Sequence, residues 1–254
     1  MEQIEIDHHG AVAVFRLNRP PVNAVDLAFA RALDAALGPL VDAGEAGAIV
    51  VTGTGECFSA GLDLKLVPRY SPEEQRAMIT TLIRTIAKLY ACPLPVVGAI
   101  NGHAIAGGLI LALTCDYRVG TSASAKFGLT EVRAGIPFPA AAMAVLQAEV
   151  APNVARILTL RGNNVDSETA LAYGLLDELQ PPGRVLPTAI AAARDLARRP
   201  REAYARIKCQ LRATPITFIE ETVARGSDPM LNAWLAADAD RASADLLRLG
   251  SSSG

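Results

Sequence analysis

Pro95-Val96-Val97-Gly98-Ala99-Ile100 is apolar from end to end. A strand without polar alternation buries both of its faces, as strands do in parallel sheets covered by helices. The next residues narrow the choice further. Asn101-Gly102 turns the chain, and Gly107-Gly108 opens a second apolar segment over 109–113, long enough for one or two buried helical turns. Paired glycines entering a helix leave backbone N–H groups unpaired and let another molecule approach them closely. The positive end of the helix dipole faces the same way, so the place suits an anion or a carbonyl oxygen gaining negative charge. A glycine pair also lets a helix pack tightly on its sheet, and from this stretch alone both readings stand.

The rest of the chain supplies further units of strand, turn and helix. Segments 3–7 and 11–17 alternate like the two arms of a hairpin turning at His9-Gly10. His8 and His9 have no third partner nearby in sequence and read as exposed turn residues. Asn18-Arg19-Pro20-Pro21-Val22-Asn23-Ala24 is a loop, after which Asp26 is placed to cap a helix running to about residue 42. Segment 48–52 is another wholly apolar strand. Ser71-Pro72-Glu73-Glu74 unites a serine cap, a proline at the first helical position and a glutamate at the third. Met78, Ile79, Leu82, Ile83, Ile86 and Leu89 then recur at helical spacing, a stripe that belongs to the core.

Residues 116–120 read as a strand, and 125–131 lead into a loop ending at Gly135-Ile136-Pro137. Helices are predicted over 139–149, 153–160 and from an Asp166 cap to Gly174, then a short strand at 175–179. Pro181-Pro182-Gly183 reads as a linker, with helices beyond it at about 185–199, 201–212, 215–224 and 229–249. The pattern is an α/β core followed by a helical C-terminal region.

Composition excludes several classes. The 254 residues carry a formal charge of −2, which points to neither nucleic acid nor an anionic membrane as partner. No apolar run reaches the roughly 18 residues of a membrane span. The acidic start, Met1-Glu2-Gln3-Ile4-Glu5, lacks the pattern of a signal peptide. Cys57, Cys92, Cys115 and Cys209 form no metal motif and are expected as reduced core residues. A cytoplasmic protein is therefore expected, with 250–254 (Gly-Ser-Ser-Ser-Gly) as a tail outside the fold.

Four segments together resemble the crotonase superfamily, the enoyl-CoA hydratase/isomerase family. They are Leu-Asn-Arg-Pro-Pro-Val-Asn-Ala (17–24), Phe-Ser-Ala-Gly-Leu-Asp-Leu-Lys (58–65), Asn-Gly-His-Ala-Ile-Ala-Gly-Gly with the following Ala-Leu-Thr-Cys-Asp-Tyr-Arg (101–118), and Phe-Gly-Leu-Thr-Glu-Val-Arg-Ala-Gly-Ile-Pro (127–137). The resemblance implies an α/β fold, a crotonase-like spiral of β-β-α turns over 1–182. It also implies a helical trimerisation region over 183–249, giving a homotrimer or a dimer of trimers. The substrate it implies is an acyl-CoA thioester, CoA being part of the substrate, with no separate cofactor and no metal. Two backbone N–H groups would hold the enolate-like oxyanion at the thioester carbonyl, and by position these belong to Leu62 and Gly107. Val22, Ala24, Val25, Ala60, Asp63 and Leu64 fall where family members wrap the adenine and pantetheine. Lys65 falls where some members place a cation near a CoA phosphate, though an ordinary solvated lysine fits that position equally.

Hydratases of this family hold their water with two glutamates. The second corresponds to Glu131; the first would stand where this chain has Ile110. An isoleucine binds no water and moves no proton. Single-glutamate enoyl-CoA isomerases pair an acid at the position of Glu131 with an aliphatic residue at that of Ile110, so the resemblance points most directly to conversion of a 3-enoyl-CoA into a 2-enoyl-CoA. Hydration or another enolate-forming reaction is the alternative, and a CoA-thioester-binding protein without turnover is a further one. Leu129 and Ile136 beside Glu131 are expected to raise its pKa, as a group that takes and returns a proton requires. His103, Asp116 and Tyr117 are other possible acids, with Asp116 better read as a brace for its strand.

Overall fold

A computed structural model describes residues 3–42, 46–226 and 228. The hairpin comes first: β1 (Ile4–His9) pairs antiparallel with β2 (Val12–Leu17), the turn being made by Gly10 at φ 69°. Helix α1 (Leu27–Asp42) starts where Asp26 Oδ1 accepts the Phe29 N–H at 2.8 Å. From here strands alternate between two sheets. β3 (Ala48–Gly53) enters the large one and β4 (Cys57–Ser59) the small one, before α2 (Pro72–Tyr90). β5 (Val96–Ile100) and β6 (His103–Ile105) repeat the pattern ahead of α3 (Gly107–Leu113), and β7 (Tyr117–Thr121) and β8 (Phe127–Gly128) repeat it again. Helices α4 (Ala140–Glu149), α5 (Pro152–Arg161) and α6 (Ser167–Ala172) then lead to β9 (Glu178–Gln180).

The large sheet runs β1-β2-β3-β5-β7-β9 and the small one β4-β6-β8, every pair after the first being parallel. This is the spiral of β-β-α turns. Each turn lays one strand in each sheet and stacks on the last, which is why β3 and β5 are apolar on both faces.

The sequence pattern carried the capping box of α2 in full: Ser71 Oγ accepts the Glu74 N–H and the Glu74 carboxylate accepts the Ser71 N–H. Elsewhere the structure differs. Pro181 caps and Pro182 begins α7 (Pro182–Ala197), so the expected linker is a helix start. Proline suits that position because the first N–H of a helix has no partner to lose. α7 lies on the large sheet, its Val185, Ala189 and Ala193 buried with Val12, Val50, Val97 and Val119. The two helices expected at 201–212 and 215–224 are one, α8 (Arg201–Arg225), which passes through Pro215. Buried side chains on both sides of that proline, Arg212 and Ile219, hold the two halves in line. The strand expected at 175–179 lies later, because Leu175 and Leu176 turn into the core instead.

α8 is docked by charge. Asp116 accepts from Lys208 at 2.8 Å, from Arg212 at 3.0 Å and from the Tyr204 hydroxyl at 3.0 Å, and also holds the Val96 N–H. Arg212 reaches Glu149 at 3.2 Å and lies over the Tyr90 ring. Asp116 is thus a brace, as its sequence position suggests. The helix expected at 229–249 and the tail lie outside the described residues. No helix among the described residues is long and apolar enough to cross a membrane. Cys57, Cys92 and Cys115 are buried and free, whereas Cys209 is free but exposed on α8.

Candidate active site

The site forms where the end of β4 meets the start of α3. Residues beyond β4 pair with the 22–25 loop: the Ala60 N–H donates to Val22 O, the Val25 N–H to Gly61 O at 2.7 Å, and the Asp63 N–H to Val25 O. A trans peptide points its N–H opposite to its C=O. Gly61 O faces Val25, so the Leu62 N–H faces away from the loop. Gly61 sits at φ 76°, and a Cβ there would come within 2.8 Å of the Gly107 nitrogen. On the other side Ala106 adopts φ 52° and ψ −127°, an uncommon conformation for a residue with a side chain, and starts α3 at Gly107. A Cβ on Gly108 would lie 2.1 Å from Ser59 O. Glycine at 61 and 108 is therefore what lets the two turns touch. Neither the Leu62 nor the Gly107 N–H has an acceptor among the described residues.

These two peptides lie on the wall of a pocket of about 100 Å³. Its other walls are Leu33 of α1, Leu82 and Ile86 of α2, and Ile110 and Leu111 of α3. Thr85 also reaches the pocket, but its hydroxyl is spent on Thr81 O. Among the described residues, Glu131 is the sole ionisable one lining the pocket. It follows β8 in a turn closed by the Ala134 and Ile136 N–H groups on Thr130 O and Glu131 O. Its side chain is buried, and Oε2 has no hydrogen-bond partner among the described residues. Loss of water around the carboxylate pushes its pKa up to about 7. Ile110, fully buried, lines the same pocket.

The other residues singled out in the sequence fall into two groups. Val25, Ala60 and Leu64 line the pocket, and Ala24 is half-buried and does not line it. Val22 is exposed and does not line the pocket. The Asp63 carboxylate is engaged by Arg19 at 3.0 Å, and Arg19 also holds Asp26 at 2.9 Å. Lys65 is exposed and makes no ion pair among the described residues. His103, Asp116 and Tyr117 do not line the pocket: His103 Nδ1 accepts the Lys126 N–H and the Tyr117 hydroxyl donates to Glu178. No group of His, Cys, Asp and Glu among the described residues is arranged to hold a metal. Sequence pattern gave no notice of Asn23 and Ser59, both fully buried beside the hole. Each lies inside a matched motif, but a small polar residue in a loop or a three-residue strand advertises nothing by itself.

Two N–H groups without an acceptor among the described residues, on the wall of an apolar pocket whose described lining holds one buried carboxylate, define a class of site. Such an arrangement can polarise a carbonyl and move a proton beside it, as enolate chemistry requires. A sequence profile described as enoyl-CoA hydratase/isomerase matches residues 7–240. A putative enoyl-CoA hydratase of Thermus thermophilus is 35% identical over 240 residues, 92% of each chain. The structure of probable enoyl-CoA hydratase EchA3 of Mycobacterium tuberculosis superposes with a TM-score of 0.82 at 31% identity, covering 87% of this chain and 93% of that one. Human mitochondrial delta3-delta2-enoyl-CoA isomerase superposes with a TM-score of 0.91 at 26% identity, over 99% of this chain and 100% of that one. The chain belongs to the enoyl-CoA hydratase/isomerase family of the crotonase superfamily, a family of acyl-CoA enzymes.

Proposed function

We propose that this protein isomerises 3-enoyl-CoA thioesters to 2-enoyl-CoA thioesters, with Glu131 as the single acid and base. The observation that carries the reading is the single carboxylate among the described residues lining the pocket, with Ile110 as apolar wall where a second would be needed for water. The thioester carbonyl accepts from the Leu62 and Gly107 N–H groups. The Glu131 carboxylate removes a proton from the α carbon, and the electron pair spreads over the dienolate onto the thioester oxygen. The new carboxylic acid returns the proton to the γ carbon, the carbonyl re-forms, and the double bond lies between the α and β carbons. No cofactor or metal enters this cycle. A pKa near 7 leaves Glu131 partly ionised at neutral pH while making it a stronger base than an exposed glutamate.

The CoA moiety is assigned to the rim: pantetheine along Val22, Ala24, Val25, Ala60 and Leu64, with Asp63 shaping the turn and Lys65 free to meet a phosphate. In this reading the enzyme is cytoplasmic. It assembles as a homotrimer or dimer of trimers through the helical region from residue 183 onward, and exposed Phe218 on α8 is in keeping with such a contact. Hydration is the second reading, favoured by the name of the Thermus relative. Purified protein is offered matched 3-enoyl-CoA and 2-enoyl-CoA substrates. Fast conversion of the first with slow or no hydration of the second is expected. Fast hydration that vanishes in Glu131→Gln moves the protein to the second reading, and fast hydration undiminished in that variant removes Glu131 from the chemistry altogether.

A further inference from the structure

The Leu62 donor is useful only if its peptide is held at one angle, and the residues that hold it lie in the 19–25 loop and β4. Asn23 stands at φ 49°, a conformation Asn tolerates better than most side chains, and is fully buried. Its side chain is saturated. Oδ1 accepts from the Arg19 N–H at 2.9 Å and the Thr54 hydroxyl at 3.2 Å, while Nδ2 donates to Cys57 O at 2.7 Å, Thr54 O at 3.1 Å and Phe58 O at 3.3 Å. Its backbone carbonyl accepts from Ser59 Oγ at 2.9 Å, and Ser59 Oγ in turn accepts the Gly61 N–H at 3.2 Å. A hydroxyl has one proton and two lone pairs, so this bridge fixes the direction of both contacts. The bridge ends on the residue whose carbonyl carbon bears the Leu62 N–H. The Ser59 carbonyl, meanwhile, lies against Gly108 of α3, beside the second donor.

We infer that Ser59, oriented by Asn23, is a positioning residue for the oxyanion hole: its hydroxyl holds the Gly61 nitrogen while Val25 holds the Gly61 oxygen, and the two together fix the Gly61–Leu62 peptide and so the aim of the Leu62 N–H. Fold stability alone does not require a hydroxyl at this point, because the Val25–Gly61 and Asp63–Val25 backbone bonds already tie the turn to the loop. Those bonds hold the carbonyl side of Gly61, and the Ser59 bond holds its nitrogen, so that both peptides flanking this flexible glycine are restrained. Misplacing a reacting group by about 1 Å costs about 100-fold, and losing an oxyanion donor outright costs about 100- to 1,000-fold.

The inference rests on the oxyanion-hole reading, and the test separates the two. Wild type, Ser59→Ala and Ser59→Cys are each bound to a saturated acyl-CoA carrying a 13C-labelled thioester carbonyl, and its stretching band is recorded by difference infrared spectroscopy. Turnover of 3-enoyl-CoA is measured alongside. Wild type should lower the carbonyl frequency. Ser59→Ala should lose most of that shift and about 10- to 100-fold in kcat, with KM and acyl-CoA affinity within about 3-fold. Ser59→Cys, whose thiol is a weaker donor and acceptor, should fall between them. It carries the test by itself if the alanine variant does not fold. A wild-type carbonyl shift that persists unchanged in the folded variants, with unchanged kcat, overturns the role of Ser59 while leaving the hole intact. No shift in wild type overturns the hole and the role together.

Discussion

Replacing Glu131 by Gln should disable the enzyme and stabilise it, and the gain should depend on pH in a way that the structure specifies. Burial raises the Glu131 pKa from 4.5 to about 7, so the folded state holds its proton more tightly than the unfolded chain does. Where the folded state binds more protons, stability falls as pH rises. The contribution is fully present below the unfolded pKa and is lost as pH climbs through the folded one. Integrated over the two pKa values, the ionisation penalty is about 1 kcal/mol at about pH 5.5 and about 3 kcal/mol at about pH 8.5. Glutamine has no such penalty. The stability difference between variant and wild type should therefore shift in the variant's favour by about 2 kcal/mol between those pH values, or about 4–8 °C in Tm for a chain of this size. Taking the difference between two pH values cancels any fixed cost of burying an amide. Thermal melts of both proteins at both pH values measure it, with kcat on 3-enoyl-CoA expected to fall at least about 100-fold. A variant whose Tm advantage is the same at both pH values would refute the buried, desolvated carboxylate on which the proposed base depends.

Gly108→Ala should destabilise the protein and depress turnover, although helix propensity alone favours alanine by about 1 kcal/mol. The added Cβ would stand 2.1 Å from Ser59 O and must push α3 off β4, so a Tm at or above wild type would contradict the close approach. Asp116→Ala leaves Lys208 and Arg212 buried without their shared carboxylate, and breaking such a pair costs about 3–5 kcal/mol; a chemical-denaturation change under about 1 kcal/mol would show that α8 is docked by other means. Ile110→Glu places a second carboxylate on the pocket wall and should lower stability while introducing hydration of 2-enoyl-CoA, read as loss of the conjugated thioester absorbance.

Local pattern was enough for much of this protein. The apolar runs at β3 and β5 are buried on both faces because no polar residue offers a face to water, and that alone demands a covered parallel sheet. Ser71 and Glu74 lie within one turn of each other, so their capping box is readable from four letters. The glycine pair at 107–108 and, through the family resemblance, the replacement of a carboxylate by Ile110 were equally legible, since each is a statement about one short stretch, whereas the contacts that require glycine at 61 and 108 belong to the fold. The tertiary structure decided what depends on residues far apart. β4, β6 and β8 are too short for any periodicity to mark, and they exist as strands because each finds a parallel neighbour. Pro215 ends a helix by local rules, but Arg212 and Ile219 are anchored on either side of it by buried partners from other elements. Asn23 and Ser59 are ordinary loop and strand residues until the fold brings them together across 36 positions, with Gly61 beside them. The raised pKa of Glu131 likewise belongs to no short segment, because the walls that exclude water from it come from four helices and a turn distant in the chain.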